Sequence, residues 1–265
     1  MSSLLFPMID GTYAQVGGLT GFVIGLTGVG GGALMMPILL LLGVSPITAI
    51  ATDLWFAAFT KIVAAGIHRG ADCIDWGIVK RLWLGSLPTA LLIVVLVSLG
   101  AKVQKIDWLT AAIGCVVLLT ALGMLLAPKL KLFARERRLD NPGQLRGLQP
   151  ALTVIAGIVL GFCVALTSVG AGALGSVILL YLYPQRMRPH RLVATDIMHA
   201  IPLALVAGLG YLFAGMVDWR MLISLLSGSI PAVIAGSLIS RRLNSRWIQV
   251  FLAMVLLAVS LKTLT

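Results

Sequence analysis

The sequence predicts an all-α membrane protein: two inverted-topology repeats, each a glycine-broken re-entrant helical hairpin followed by three transmembrane helices. Three observations carry this expectation. The 265 residues are 59% hydrophobic and only 11% charged, with a mean hydropathy of +1.05, whereas soluble domains are about 25% charged. A glycine-rich apolar motif occurs twice. Gly21–Leu40 reads GFVIGLTGVGGGALMMPILL and Gly161–Leu180 reads GFCVALTSVGAGALGSVILL, identical at 12 of 20 positions. Finally, most Lys and Arg residues fall into loops that one topology places on a single side of a bilayer.

The echo runs on beyond the motif. Ala51-Thr52-Asp53 recurs as Ala194-Thr195-Asp196, Asp75-Trp76 as Asp218-Trp219, and Gly85-Ser86-Leu87-Pro88 as Gly228-Ser229-Ile230-Pro231. The motif repeats at an offset of 140 residues and the later pairs at 143, so one three-residue gap aligns the halves. The chain therefore divides into a first repeat, 1–127, a basic cytoplasmic linker, 128–150, and a second repeat, 151–265.

Eight hydrophobic segments follow, at about 13–42, 46–67, 77–99, 107–127, 151–182, 191–215, 219–240 and 246–264. Six have the length of one bilayer crossing, roughly 20 residues. The first and fifth run about 30 residues, or about 45 Å as straight helices, against a hydrocarbon core of about 30 Å. Both are interrupted by small residues: Gly28, Gly30, Gly31 and Gly32 in the first, Ser168, Gly170, Ala171 and Gly172 in the second. Each glycine costs a helix about 1 kcal/mol relative to alanine, so a cluster favours a break. A half-helix that enters, turns at the glycines and leaves by the same face accounts for the length. Such backbone is tolerated at that depth only under cover of protein or a watery cavity.

Charge placement separates two topologies. If the first and fifth segments cross fully, 11 Lys and Arg lie inside and 8 outside. If both are re-entrant, loops 68–81, 128–150, 184–191 and 241–246 share the inner face, which puts 15 inside and 4 outside, with Lys61 buried. The positive-inside rule selects the second arrangement. Three full crossings per half then give the halves opposite orientations.

The same composition excludes other classes. A net charge of +11 and a pI near 10.2 suit a nucleic-acid binder, but the basic residues sit between apolar runs, as in cytoplasmic loops. Cys115 and Cys163 lie within apolar runs and Cys73 in a charged loop, which is no disulfide framework. Met1–Tyr13 lacks Lys and Arg and contains Asp10, unlike a signal peptide, so the first hydrophobic segment is expected to remain in place.

Within the apolar segments the ionisable groups are Asp53, Lys61, Asp196 and His199. A charge inserted in lipid costs at least about 2.5–3.5 kcal/mol, which makes each a functional candidate. Every one also has a bland reading. Lys61, aligned with Ala204 of the second half, either meets an anionic solute or snorkels to the headgroups. His199 is either a proton carrier or a neutral ring bonded to a carbonyl. Asp53 and Asp196, each preceded by a threonine (Thr52, Thr195), are either coupling groups or helix-start devices.

The glycine turns are the stronger signal. Exposed backbone N–H groups at Gly28, Gly30, Gly31 and Gly32, and at Gly170, Ala171 and Gly172, precede half-helices starting near Ala33 and Ala173, whose positive ends would face inward. That arrangement binds an oxyanion without a charged side chain, and Thr27, Thr167 and Ser168 add hydroxyls. Close packing through small residues explains part of the glycine content, but not its clustering at matched points of both halves. Gly28–Ala33 with Asp53 also fits the dinucleotide fingerprint, yet that motif needs a preceding strand and a βαβ unit, and an apolar run stands there instead. No cofactor and no metal site is expected.

The doubled GLTGVGGG…P…ATD and ALTSVGAGALGS…ATD pattern resembles the sulfite exporter TauE/SafE family, over nearly the whole chain. The resemblance implies a bacterial or organellar transporter, here of the inner membrane, that moves sulfite, sulfoacetate or a related organosulfonate, usually outward. Ser168 in place of Gly28 and Ala171 in place of Gly31 depart from the first copy, so the two turns need not contribute equally. The residues and the resemblance together favour a secondary transporter binding a small sulfur anion at the paired breaks by alternating access, with protons as a candidate coupling ion and the lipid bilayer as its surroundings. An anion channel of the same fold shares every one of these features. An intramembrane hydrolase using Ser168 with His199 is the remaining alternative. It lacks a nucleophile motif.

Loop 184–191 tests the topology. Single cysteines placed there should react with membrane-impermeant thiol reagents from the cytoplasmic side alone, and labelling from outside would reject the re-entrant arrangement.

Overall fold

The structure, a computed structural model, describes residues 10–27, 32–67, 74–100, 144–170, 172–183, 186–187 and 189–240, with a few helical positions between 115 and 126 and at 254. Among the described residues every regular element is helical: α1 (Gly11–Thr27), α2 (Gly32–Leu41), α3 (Pro46–Ile67), α4 (Trp76–Gly100), α5 (Gln144–Thr167), α6 (Ala173–Leu182), α7 (Pro189–Phe213) and α8 (Trp219–Ser240). Five of them are long and apolar enough to cross a membrane, over Pro46–Gly66, Trp76–Val97, Gly147–Thr167, Arg191–Phe213 and Trp219–Ile239. The predicted segments 107–127 and 246–264 fall almost wholly outside the described residues.

The second long segment is broken: it stops at Thr167 and resumes at Ala173. The first is helical up to Thr27 and again from Gly32, and the expected break at 28–31 lies outside the described residues. The ten-residue α2 and α6 are about 15 Å long, half a hydrocarbon core. Helix α5 begins at Gln144, seven residues inside the stretch expected to be linker. Asp53 and Asp196 lie in the middle of α3 and α7, so neither starts a helix. That role falls to Asp75 and Asp218, whose carboxylates accept the N–H of Ile78 and Met221 at 3.4 and 3.0 Å in N-cap fashion.

Packing follows the repeat. Helix α1 lies along α8 and α5 along α4; α3 crosses α7, and also touches α8 as α7 touches α4. Each of the long first-half helices α1, α3 and α4 thus pairs most closely with a second-half helix. The close approaches are set by glycines four positions apart, Gly17, Gly21 and Gly25 in α1 and Gly157 and Gly161 in α5. At Gly21 a Cβ would come within 2.7 Å of the Ser229 backbone, and at Gly161 a Cβ would collide with the Ser86 carbonyl. Those two contacts match one another at the repeat offsets. Small residues let apolar helices approach closely where no hydrophobic drive between them exists in lipid. Indole and phenol groups pin the crossing helices: Trp55 Nε1 donates to the Gly208 carbonyl at 3.0 Å, Trp83 Nε1 to that of His199 at 3.2 Å, and Tyr211 Oη to that of Ala165 at 2.8 Å.

Gly161→Leu should force α4 and α5 apart, at the upper end of the 1–3 kcal/mol typical of overpacking or beyond. A large fall in the detergent-solubilised melting temperature is expected. Gly147→Ala, which meets nothing within 4 Å, should melt like the wild type.

Candidate functional site

The second helix break is built from its own side chains. Thr167 Oγ1 donates to the Cys163 carbonyl at 2.7 Å and accepts the Val169 N–H at 3.2 Å, which turns the chain out of the helix. Ser168 sits at φ 57° and Gly170 at φ 122°, the left-handed region that side chains rarely adopt. The chain re-enters a helix at Ala173. The Gly175 N–H reaches back to the Gly170 carbonyl at 3.0 Å, and the Ser176 hydroxyl bonds the Gly172 carbonyl. Gly172 at the N-cap has no side chain to offer, so α6 starts without a side-chain cap. Its positive end is therefore turned toward whatever lies in front of it.

What lies there is Asp196. Its Oδ1 approaches α6 so closely that a Cβ on Gly175 would sit 2.6 Å from it. Its Oδ2 stands 4.0 Å from Lys61 Nζ. The residue is only 1% exposed, and neither carboxyl oxygen accepts a hydrogen bond among the described residues. Lys61 is 13% exposed along its side chain and turns inward, so it does not snorkel. It also faces Asp53 and His199 electrostatically. Asp53, fully buried, lies beside the Ser168 hydroxyl without closing a proper hydrogen bond to it. One lysine thus confronts two buried carboxyl groups.

The other expected residues separate by role. His199 Nε2 pairs with Ser86 Oγ at 3.0 Å, while its Nδ1 has no hydrogen-bond partner among the described residues. With His199 on Ser86 and Ser168 beside Asp53, the Ser168–His199 pairing of a hydrolase is not made. Thr52 and Thr195 join helices. Their hydroxyls accept the backbone N–H of Asp218 at 3.2 Å and of Asp75 at 3.1 Å, two bonds that match at the repeat offset and fasten α3 and α7 to the starts of α8 and α4. Gly170 and Gly172 form the described turn, and Thr27 and Gly32 mark the flanking helix ends of the first break. Gly28, Gly30, Gly31 and Ala171 lie outside the described residues.

Two contributors were not anticipated. Ser86 belongs to the repeated Gly-Ser-Leu-Pro stretch, which was visible as an echo, but its facing of His199 depends on the α4–α7 crossing. Gly175 was hidden among apolar residues. Its repeat counterpart is the buried Met35, a side chain where Asp196 needs space. The counterpart of Lys61 is Ala204, and among the described residues the charged cluster stands near the second break.

Thr195→Val should cost about 1–3 kcal/mol, since the buried N–H of Asp75 loses its acceptor. Thr52→Val should cost less because Asp218 is exposed and water can take the place of the hydroxyl. Paired thermal unfolding of the two variants in detergent checks the order.

Comparison with known proteins agrees with this architecture. The family model described as sulfite exporter TauE/SafE matches residues 13–263. Three Bacillus subtilis (strain 168) proteins are similar. "Probable membrane transporter protein YjnA" is 36% identical over 251 residues, covering 93% of this chain and 96% of the relative. "Probable membrane transporter protein YunE" is 23% identical over 265 residues, covering 92% and 93%, and "Probable membrane transporter protein YdhB" is 28% identical over 227 residues, covering 83% and 85%. No solved structure matches the chain. With apolar helices fit to cross a bilayer, the break they enclose, and a family match over nearly its whole length, the chain is an integral membrane transporter that belongs to the sulfite exporter TauE/SafE family.

Proposed function

We propose that this chain is a secondary transporter that exports a small sulfur-containing anion, sulfite or an organosulfonate, across the bacterial inner membrane by alternating access. The observation that carries the proposal is the convergence of Lys61 and the uncapped start of α6 on one buried point. A cationic side chain and a helix N-terminus are two independent preferences for negative charge. In this structure they meet on the carboxylate of Asp196. Ser168, beside Asp53, carries a buried hydroxyl without a hydrogen-bond partner among the described residues, a donor suited to a compact oxyanion.

The halves act in this reading as an inverted-topology repeat with re-entrant hairpins. Support comes from contacts that recur at the repeat offsets: Gly21 on Ser229 with Gly161 on Ser86, and Thr52 on Asp218 with Thr195 on Asp75. Two similar bodies that interlock through matched pairs can rock against one another about a central site. Outward movement of an anion is favoured by an inside-negative potential, at about 2.3 kcal/mol per charge per 100 mV.

A calorimetric screen of purified protein against sulfite, sulfate, thiosulfate, sulfoacetate and related carboxylates tests the reading. A sulfur anion should bind and the carboxylates should not. Lys61→Ala should weaken that binding by about 2 kcal/mol, the scale of a charge-assisted bond, or about thirtyfold in Kd. Gly31→Leu and Gly172→Leu should abolish it, and unchanged affinity in all three variants would remove the breaks from the site. In liposomes, saturable flux with counterflow is expected of a carrier, whereas linear flux without counterflow would assign a channel.

A further inference from the structure

Asp196 occupies the place where the proposed anion would bind, and this has a consequence for coupling. We propose that the Asp196 carboxylate is a tethered competitor for the anion: the anion replaces it against Lys61 and the start of α6, and Asp196 withdraws carrying a proton, so that one proton accompanies each anion across the membrane. This deepens the anion-transporter reading and rests on it.

The geometry requires such an exchange. Lys61 Nζ is 4.0 Å from Asp196 Oδ2, and Asp196 Oδ1 lies against the first turn of α6, where only glycine at 175 leaves room. An anion cannot enjoy both Lys61 and that helix start while the carboxylate remains between them. Once displaced, an ionised Asp196 would be a buried charge without its partner, a strongly unfavourable state. Proton uptake removes the charge. Among the described residues the charged and titratable groups around Asp196 are few. From α3 come Lys61 and, behind it, Asp53. From α7 itself comes His199, held at Nε2 by Ser86 of α4. The α6 side presents the Gly175 backbone, and among the described residues Lys61 is the charged group that acts on Asp196 directly.

Charge balances through the cycle. The empty site holds Lys61 ammonium against Asp196 carboxylate; the loaded site holds Lys61 ammonium against the anion, with Asp196 neutral. The proton enters with the anion on one side and leaves with it on the other, when Asp196 returns to Lys61. A divalent oxyanion then still carries one net negative charge, so the membrane potential continues to favour its export. The sign of the pH effect follows from the same linkage. Lowering the pH removes the competitor and strengthens anion binding, by up to about tenfold per pH unit for one linked proton.

The test is calorimetric titration of the full-length purified protein with thiosulfate and with sulfoacetate, near neutral pH. It uses two buffers of different ionisation enthalpy, neither of them a sulfonate. Wild type should take up about one proton per anion bound, the value a single linked site requires. Asp196→Asn should bind with no proton uptake, with a Kd independent of pH and tighter than that of wild type at alkaline pH. Binding by wild type without proton uptake overturns the proposal while leaving the anion site intact. Uptake that survives in Asp196→Asn and disappears in His199→Gln also overturns it, and assigns the proton to histidine. Failure of wild type to bind any sulfur anion in the screen would overturn the anion reading itself. The wild-type measurement decides the matter even if Asp196→Asn does not fold.

Discussion

Irregular backbone buried inside a bundle of apolar helices has no water to satisfy it, and this constraint shapes the molecule. A helix that stops at Thr167 and resumes at Ala173 leaves donors and acceptors that lipid would not accept. The turn answers with its own hydroxyls and carbonyls, through Thr167, Gly170 and Ser176, and the crossing helices α3 and α7 cover what remains. The side-chain composition of those two helices follows from that duty. Their outer surfaces are apolar, while Thr52, Asp53, Thr195, Asp196 and His199, all essentially unexposed, sit where they reach the turn or the starts of neighbouring helices.

Packing in this chain is nearly symmetric, whereas the chemistry is not. Glycines at matched positions bring α1 onto α8 and α5 onto α4, and matched threonines tether the central helices to Asp75 and Asp218. The polar equipment departs from the symmetry at several aligned positions, among them lysine against alanine at 61 and 204, histidine against phenylalanine at 199 and 56, and glycine against methionine at 175 and 35. The packing contacts recur between the halves, whereas these departures set Lys61 against Asp196 and leave room for that carboxylate at Gly175. Ion pairing at the start of α4 adds a further asymmetry. Arg191 and Arg186 approach the Asp75 carboxylate at 3.7 and 3.9 Å, positions that are Thr48 and Gly43 in the first half. These two pairs are partly exposed and contribute little to stability.

Periodicity and hydropathy were good guides to the helices, because lipid demands long apolar runs and allows few alternatives. Four of the expected segments coincide with α3, α4, α7 and α8 to within two residues at each end, and the second break stands where the small residues cluster, between Thr167 and Ala173. Helix α5 was misjudged at its start: the polar tail of the linker reads as loop, yet Gln144–Pro150 is the helix's first two turns. The reading of Asp53 and Asp196 as helix starts failed because an aspartate after a threonine looks like a cap in isolation. In both cases Pro46 and Pro189 had already opened the helix seven residues earlier. Snorkelling of Lys61 failed for a different reason, since its counter-charge lies 135 positions away along the chain.

The amino-acid order alone established the membrane class, the duplication, the two interruptions and the short roster of ionisable groups, since each follows from composition or spacing along one chain. It could not establish which of those groups meet. Lys61 finds Asp196, His199 finds Ser86, and Asp53 lies beside Ser168, and every one of these pairs joins residues more than a hundred positions apart. Their distances are set by how closely α3, α4 and α7 cross, and that in turn by glycines whose missing side chains matter only when another backbone arrives against them.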